Sequence, residues 1–456
     1  MRAARPSIVS EFDDVELGDE RLDARLLLLA EALSREPELS FPDALEDGAE
    51  LEAGYRFFNN PRVDAAAVLL PHVAASAARL EAVDRALAIH DTTEFVFGGK
   101  SARAGLEGDR FRAHFCLAVS ADGQREPLGV LAIDPWVRSE VKGKRPLAER
   151  RKEDDRESKR WLQQSIAVEA AVSGTALIHV EDREADIYES LSARAQRGMH
   201  FIVRAQNYRV VETGEDYTNI LEHLRSQPRR FERDVVLSRR QTPTGKSAHQ
   251  AREGRRTRLA FASATVAIRR PRTDGVDVPE SLRVNVVHVV EVDPPEGEQR
   301  VEWLLLTTEP IDTIGDVEFV VDSYRARWVI EEYFKALKTG CAYEARQLES
   351  YDALLRALSI FAVIAWRLLW MRFLAQHAPS TPATCVATAA ELAVLGAQKR
   401  IRADATVDDF LRAVAKLGGH IKRNGPPGWQ VLWRGYRKLG DLAAGYAARA
   451  AEEVEK

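Results

Sequence analysis

Two apolar runs of this sequence each end in a carboxylate. Arg85-Ala-Leu-Ala-Ile-His-Asp91 and Thr175-Ala-Leu-Ile-His-Val-Glu-Asp182 read as buried strands, and the carboxyl ends of strands in open α/β sheets are where ligands gather. Taken singly, either Asp also reads as a residue that merely ends its strand. A third group bears on the choice: Tyr324, Arg327, Glu331 and Lys338 follow one another at offsets of three, four and seven residues. On a continuous helix turning about 100° per residue, they fall within about 60° of one face. Such a face is either solvated and laced with ion pairs, or, with Trp328, Ile330, Tyr333 and Phe334 burying the other sides, it lines a site. Two Asp and one Glu can hold a pair of Mg²⁺ ions roughly 3.5–4 Å apart, the arrangement that serves in-line attack at phosphorus. Arg327 and Lys338 would then grip phosphates.

The other reactive residue types point to less. His90 and His179 lie beside the two Asp residues, and at strand ends they are expected to pack or hydrogen-bond locally; His114 reads as a buried, hydrogen-bonded histidine. His-x3-His and Cys-x2-Cys spacings are absent, which argues against a zinc site. Cys116, Cys341 and Cys385 are too dispersed for a disulfide framework and read as buried or inert thiols. Gly245-Lys-Ser has Arg240 where a phosphate-cradling loop needs its first glycine, which excludes nucleotide hydrolysis by that motif.

The elements that must position the carboxylates follow from periodicity. From Glu11 to Leu80 the pattern is helical, with Leu22, Leu26, Leu29 and Leu33 on one side. Arg112 to Ser120 and Pro127 to Ile133 flank the turn signal Asp122-Gly123 and read as a hairpin. Residues 138–160 read as a charged loop or exposed helix. A helix over 161–172, the Asp182 strand, a helix over 187–197 and a strand over 200–204 give the alternation of a mixed α/β sheet. Strand-like pieces at 234–237, 257–269, 284–292 and 301–307 make residues 207–306 a β-rich insertion. Residues 316–377 and the remainder to Lys456 read as helical, the last helix over 439–455 being alanine-rich and amphipathic. The expected division is a helical domain over 1–80, a catalytic domain over 81–375 and a helical domain over 376–456.

With 456 residues, 45% of them hydrophobic and 30% charged, the chain can bury a sizeable core, which excludes whole-chain disorder and fibrous repeats. The run Ala357 to Trp366 is too short to span a bilayer, and an acidic stretch rather than an apolar segment follows the N-terminus, so the expected location is the cytoplasm. The net charge of −5 is unevenly spread. The tract Arg225–Arg272 carries +11 and reads equally as a solvated surface or as a footprint for phosphate backbones. Residues 11–54 carry −12.

Asp91-Thr-Thr-Glu-Phe, Asp182-Arg-Glu-Ala-Asp-Ile and Tyr324-x2-Arg327-x3-Glu331-x6-Lys338 together resemble the insertion-sequence-four family of DDE transposases, the last matching its YREK signature without a gap. Gly18-Asp-Glu-Arg-Leu-Asp-Ala-Arg25, Gly54-Tyr-Arg-Phe-Phe-Asn-Asn-Pro61, Arg156-Glu-Ser-Lys-Arg-Trp161 and Trp303-Leu-Leu-Leu-Thr-Thr-Glu-Pro310 extend the resemblance from about residue 10 to the C-terminal helices.

The resemblance implies an RNase H-like core, a mixed sheet with flanking helices, carrying a β-rich insertion between a helical DNA-binding N-terminal domain and a helical C-terminal domain. It implies that Asp91, Asp182 and Glu331 are a catalytic and metal-binding triad for two Mg²⁺ ions, with Mn²⁺ as a substitute. The implied activity is cut-and-paste transposition: nicking at the element end, hairpin formation and opening, and strand transfer into target DNA. Tyr324, Arg327, Lys338 and Arg204 match phosphate contacts, with Lys335 a further candidate. Trp303 matches the indole that stacks on a flipped base, and also reads as a strand-end core residue. Arg21, Arg25 and Arg56 fall in the end-recognition region, where the surrounding acidic residues repel phosphates and would confine binding to a narrow face, shift it to the basic tract or weaken it. The implied partners are double-stranded transposon ends and target DNA, and a second copy of the chain, with the C-terminal helix as a dimer contact and no membrane. A stand-alone metal-dependent nuclease and a non-enzymatic DNA-binding regulator remain as alternatives.

Overall fold

The computed structural model describes residues 8–45, 47–99, 102–138, 157–213, 216–237, 253–272, 278–421 and 429–454. Parallel and antiparallel strand pairs with packed helices make this a mixed α/β protein. The chain forms two compact units. One comprises residues 1–84, 92–144 and 328–456, the other residues 85–91 and 145–327.

The first unit is mostly helical. Helix α1 (Glu20–Arg35) is capped by Asp19, which accepts the Arg21 N–H at 3.0 Å, and buries Leu26, Leu29 and Leu33. The Arg21 side chain also bonds this carboxylate, and the contact lowers its pKa to about 2. Helices α2 (Gly48–Phe58) and α3 (Ala65–Leu80) are likewise started by Asp47 and Asp64. Glu11 is buried between His72 and Arg79, at 2.6 and 3.1 Å. Part of the acidic N-terminal charge is therefore structural: cap carboxylates satisfy orphan N–H groups, and Glu11 is answered by a guanidinium.

Strands β2 (Arg110–Ser120) and β3 (Pro127–Trp136) are the expected hairpin, antiparallel across a turn with positive φ at Gly123 and Arg125. Gly129 on β3 permits the approach of α3, because a Cβ there would stand 1.8 Å from Ser76 Oγ. The apolar run at 357–366 belongs to a 27-residue helix, Tyr351–His377. By length and composition this helix is able to cross a membrane, yet 89% of its most apolar window is buried within the protein. Its Arg356 donates to the carbonyls of Val63 and Phe58, and Trp366 to that of Pro127. Each buried donor thus has an acceptor, as desolvation requires. The last helix, Trp429–Val454, begins ten residues earlier than its alanine content suggests.

In the second unit the strand order is β1-β4-β5-β11-β10-β9-β6-β7, with β6 at Val210–Thr213, β7 at Asp216–Asn219 and β8 (Phe231–Leu237) on β9. Strand β1 (Arg85–Val96) contributes its first seven residues here and its remainder to the first unit. It pairs in parallel with β4 (Ala176–Glu181), which pairs in parallel with β5 (His200–Arg204). Strand β5 meets β11 (Glu302–Thr307) antiparallel, followed by β10 (Ser281–Val292) and β9 (Arg255–Arg269). The β-rich segment is therefore built onto the edge of β5 through β11 rather than standing apart. Helices α4 (Glu157–Ala171), α5 (Tyr188–Gln196) and α6 (Ile220–Ser226) enclose a core that includes Trp161, Tyr188, Leu191, Phe201, Leu304 and Leu306. Full burial of such side chains stabilises by roughly 1.5–3 kcal/mol each.

Two expectations lie wholly or partly outside the described residues: the charged stretch 138–160, described only at 138 and from 157 on, and Gly245-Lys-Ser, with Arg239, Arg240, Lys246 and Arg252 of the basic tract. The described arginines of that tract are largely answered inside the unit. Arg225 pairs with Glu302 at 2.7 Å, Arg233 with Asp322 at 2.8 Å and Arg255 with Glu291 at 2.6 Å. Arg230 donates to the carbonyls of Ile311 and Asp312. Three of the tract's cations, Arg225, Arg233 and Arg255, thus neutralise acidic groups elsewhere in the unit.

All three cysteines are free thiols. Cys116 and Cys341 are buried, burial raising the Cys341 pKa, and Cys385 is half-buried. Since the thiolate is the reactive form, the native protein is expected to react with a thiol reagent at Cys385 alone, and at all three cysteines in denaturant. Stoichiometric labelling of Cys341 in native buffer would contradict this packing.

Candidate active site

The register of β1 and β4 runs from Arg85↔Ala176 to Ile89↔Val180. Two residues beyond that last pair stand Asp91 on β1 and Asp182 just after β4, and continuing the two-residue period of the strands would set them level on one face. Strand β4 ends at Glu181, and Asp182 then caps a short 3-10 turn, accepting the Glu184 N–H at 2.8 Å. Strand β1 does not end at Asp91 as expected but runs on to Val96. The residues after it, Thr-Thr-Glu-Phe-Val, favour extended structure and bury Thr93 and Phe95. Asp91 marks the level at which β1 loses β4, not the end of the strand.

The opposite face explains the histidines. His90 Nδ1 lies 3.1 Å from Gln164 Oε1, His90 Nε2 lies 2.9 Å from His179 Nδ1, and His179 Nε2 lies 3.2 Å from Glu169 Oε1. Burial lowers the pKa of both rings well below the usual histidine value. On that same face Arg194 of α5 makes two contacts to the Glu181 carboxylate, one at 2.7 Å, with both residues fully buried. This pair locks helix α5 to the end of β4. His114 behaves as expected, buried with Nδ1 at 2.9 Å from Thr92 Oγ1.

Several residues singled out for phosphate and base contacts converge in the second unit. Arg327 places Nη1 at 2.6 Å from Asp91 Oδ2, both side chains being 14% exposed. Tyr324, buried near the end of α7 (Ile314–Ala326), is edge-on to the Trp303 ring at 5.7 Å and hydrogen-bonded to Arg204. The Arg204 guanidinium lies 5.8 Å from the centre of that indole. Its pKa is lowered, chiefly by burial and further by Arg183 and Arg327, while Tyr324 opposes the shift. Beside them a cleft of about 90 Å³ is lined by Arg183, Arg204, Tyr208, Leu221 and Trp303. Guanidinium groups around an indole suit a phosphate next to a stacked base.

In the first unit, Glu331 is half-buried on α8 (Trp328–Lys335). Lys335 is exposed and pairs with Glu332 at 2.5 Å, and Lys338 donates to the Glu94 carbonyl at 2.5 Å. The Tyr324 to Lys338 stretch is not the single helix expected. It breaks at Arg327, and residues Ala336–Gly340 form a π turn closed by the Cys341 N–H on the Ala336 carbonyl. A wider turn shifts the angular phase, so the 100° count does not carry through to Lys338. Trp328, expected to bury one side of the helix, is 62% exposed, whereas Ile330, Tyr333 and Phe334 are buried. Arg21 is exposed and paired with Asp19, Arg56 is exposed and paired with Glu52, and Arg25 is half-buried.

Hard oxygen donors such as Asp91 and Asp182 suit a divalent cation. Among the described residues, no three His, Cys, Asp or Glu side chains are gathered to ligate one. Asp91 is instead answered by Arg327.

One further residue of this site gains its role only from the structure. Asp186, four residues after Asp182, is buried and accepts the N–H groups of Gln206 at 2.8 Å and Asn207 at 2.7 Å, and Arg209 Nη2 at 2.6 Å. It ties the loop after Arg204 to the turn that carries Asp182. Its place as the last Asp of Asp182-Arg-Glu-Ala-Asp186 was the available signal. Asp186→Ala is expected to lower DNA cleavage by roughly 10–100-fold, with Asp186→Asn recovering part of it, as measured by initial nicking rates beside DNA affinity. Unchanged rates in Asp186→Ala would remove the positioning role.

A family model described as transposase DNA-binding matches residues 5–63, and one described as transposase DDE domain matches residues 182–367. The second range begins at Asp182, spans the β-rich segment and includes Glu331 and Lys338; Asp91 lies before it. Among solved structures, a piggyBac transposase synaptic complex with hairpin DNA is similar at 9% identity and a TM-score of 0.36, over 92% of this chain and 75% of that one. No residue role follows from a likeness at that level. The chain thus carries a region similar to transposase DNA-binding domains, followed by one similar to transposase DDE domains.

Proposed function

We propose that the chain is a cut-and-paste transposase of the insertion-sequence-four kind, acting in the cytoplasm on the double-stranded ends of its own element. Asp91, Asp182 and Glu331 hold divalent ions, Mg²⁺ with Mn²⁺ as a substitute. When bound, such ions activate an attacking oxygen and stabilise the leaving oxygen of an in-line displacement. The observation that carries this reading is that Asp91 and Asp182 each follow the last paired residues of the parallel strands β1 and β4 by two positions, with Arg204, Tyr324 and Arg327 in the same unit.

The chain's own groups would divide the work. Arg204, Arg327 and Lys338, with the Tyr324 hydroxyl, orient the phosphates flanking the cleaved bond. Trp303 offers a stacking surface beside the Arg204 cleft, which suits a base driven out of the helix when a hairpin closes. Arg21, Arg25 and Arg56 contact the element end. Because Arg21 and Arg56 must leave their carboxylate partners to reach a phosphate, each adds less than a free guanidinium would, and salt weakens the binding that remains. The RNase H-like core supplies the sheet, and two copies pair two ends through the C-terminal helix.

The test is incubation with a duplex carrying the element end, taken from DNA flanking the gene, plus Mg²⁺ or Mn²⁺. Nicks followed by hairpins at the end are expected on a denaturing gel. Tight binding without any cleavage would place the chain instead among DNA-binding regulators. Nicking at random positions would favour a plain nuclease.

A further inference from the structure

We propose that Arg327 is an internal cation that keeps Asp91 closed to metal until a DNA phosphate draws it away, so that metal loading and DNA binding are coupled through one guanidinium. The inference rests on the reading of Asp91 as a metal ligand. Its basis is the ion pair itself, Arg327 Nη1 at 2.6 Å from Asp91 Oδ2, with each side chain 14% exposed. A carboxylate so placed is neutralised by whichever cation reaches it. A divalent ion must compete with a guanidinium that is already seated and largely shielded from water, where screening is weak.

The position of Arg327 supplies the second half of the argument. It is the residue between α7 and α8, its N–H bonded to the Tyr324 carbonyl at 3.1 Å, and it shares its surroundings with Arg183 and Arg204. Guanidinium groups repel one another, and a phosphate arriving among them relieves that repulsion while offering Arg327 a bidentate anion. Transfer of Arg327 from Asp91 to phosphate would expose the carboxylate when DNA is present. By linkage, whatever factor DNA adds to metal affinity, metal adds to DNA affinity. Free protein would then hold metal poorly and cut little DNA outside a bound end.

Mn²⁺ binding followed by the electron paramagnetic resonance of the free ion tests this without requiring turnover. Wild type, Arg327→Gln, Arg327→Lys and Asp91→Asn are titrated with and without the end duplex. Without DNA, Arg327→Gln is expected to bind Mn²⁺ about tenfold tighter than wild type, and Arg327→Lys, which keeps the charge, close to wild type. The duplex is expected to tighten wild type by about the same factor and Arg327→Gln far less. Equal affinities in wild type and Arg327→Gln, with Asp91→Asn weakened, would overturn the role of Arg327 and leave the metal reading standing. Asp91→Asn binding Mn²⁺ like wild type, with and without DNA, would instead overturn the metal reading. Should Arg327→Gln fail to fold, wild-type affinity unmoved by the duplex overturns the coupling alone.

Discussion

Asp182→Ala is expected to lower strand cleavage by at least about 10³-fold, and Glu331→Ala by a similar factor. Losing one carboxylate from a metal-assisted phosphoryl-transfer site forfeits several kcal/mol of transition-state stabilisation, and each 1.36 kcal/mol is about tenfold in rate. DNA affinity should hold or rise slightly, because a negative group near phosphates has been removed. That split distinguishes loss of chemistry from loss of fold. The measurement is single-turnover nicking of the end duplex beside its binding isotherm. Cleavage at more than a tenth of the wild-type rate in Asp182→Ala would sink the assignment of that residue, whatever became of the others.

The largest stability effect is expected on the other face of the same strand. Arg194→Met leaves the Glu181 carboxylate fully buried without its cation. Breaking a buried pair from one side costs about 3–5 kcal/mol. Burial already pushes the Glu181 pKa up, against the opposing pull of Arg194, so in the variant the carboxyl is expected to take up a proton rather than remain charged. Arg194→Met combined with Glu181→Leu should recover most of the loss, since replacing both partners removes the stranded charge. Hydrogen exchange at β4 amides, with the urea midpoint, reads the effect locally and globally. Wild-type protection in the single variant would show that the pair does not hold β4. Because Glu181 adjoins Asp182, a loosened strand end should also slow cleavage.

The sequence determined the elements and the chemistry they carry. Alternating and apolar runs marked β2, β3, β4 and β5 within a few residues, since a strand's two-residue period is local. Hard oxygen donors at Asp91 and Asp182 and the basic groups at Arg204, Arg327 and Lys338 were legible because residue type alone limits the ligands they can take. The bare +11 of residues 225–272 left a solvated surface and a phosphate footprint equally open, because carboxylates that answer part of it, Glu291, Glu302 and Asp322, lie elsewhere in the chain.

Only the tertiary structure decided what those elements do to one another. Strand β1 outruns Asp91 because β2 offers it a further neighbour, which no local pattern records. The interruption at Arg327 and the π turn at Ala336–Gly340 set aside an angular count that assumes one uninterrupted helix. The Asp91–Arg327 pair joins residues 236 positions apart, and the clamp at Asp186 joins two loops separated by a helix and a strand. Contacts of that range are set by sheet register and packing, so the sequence supplied the groups while the fold decided which faced each other.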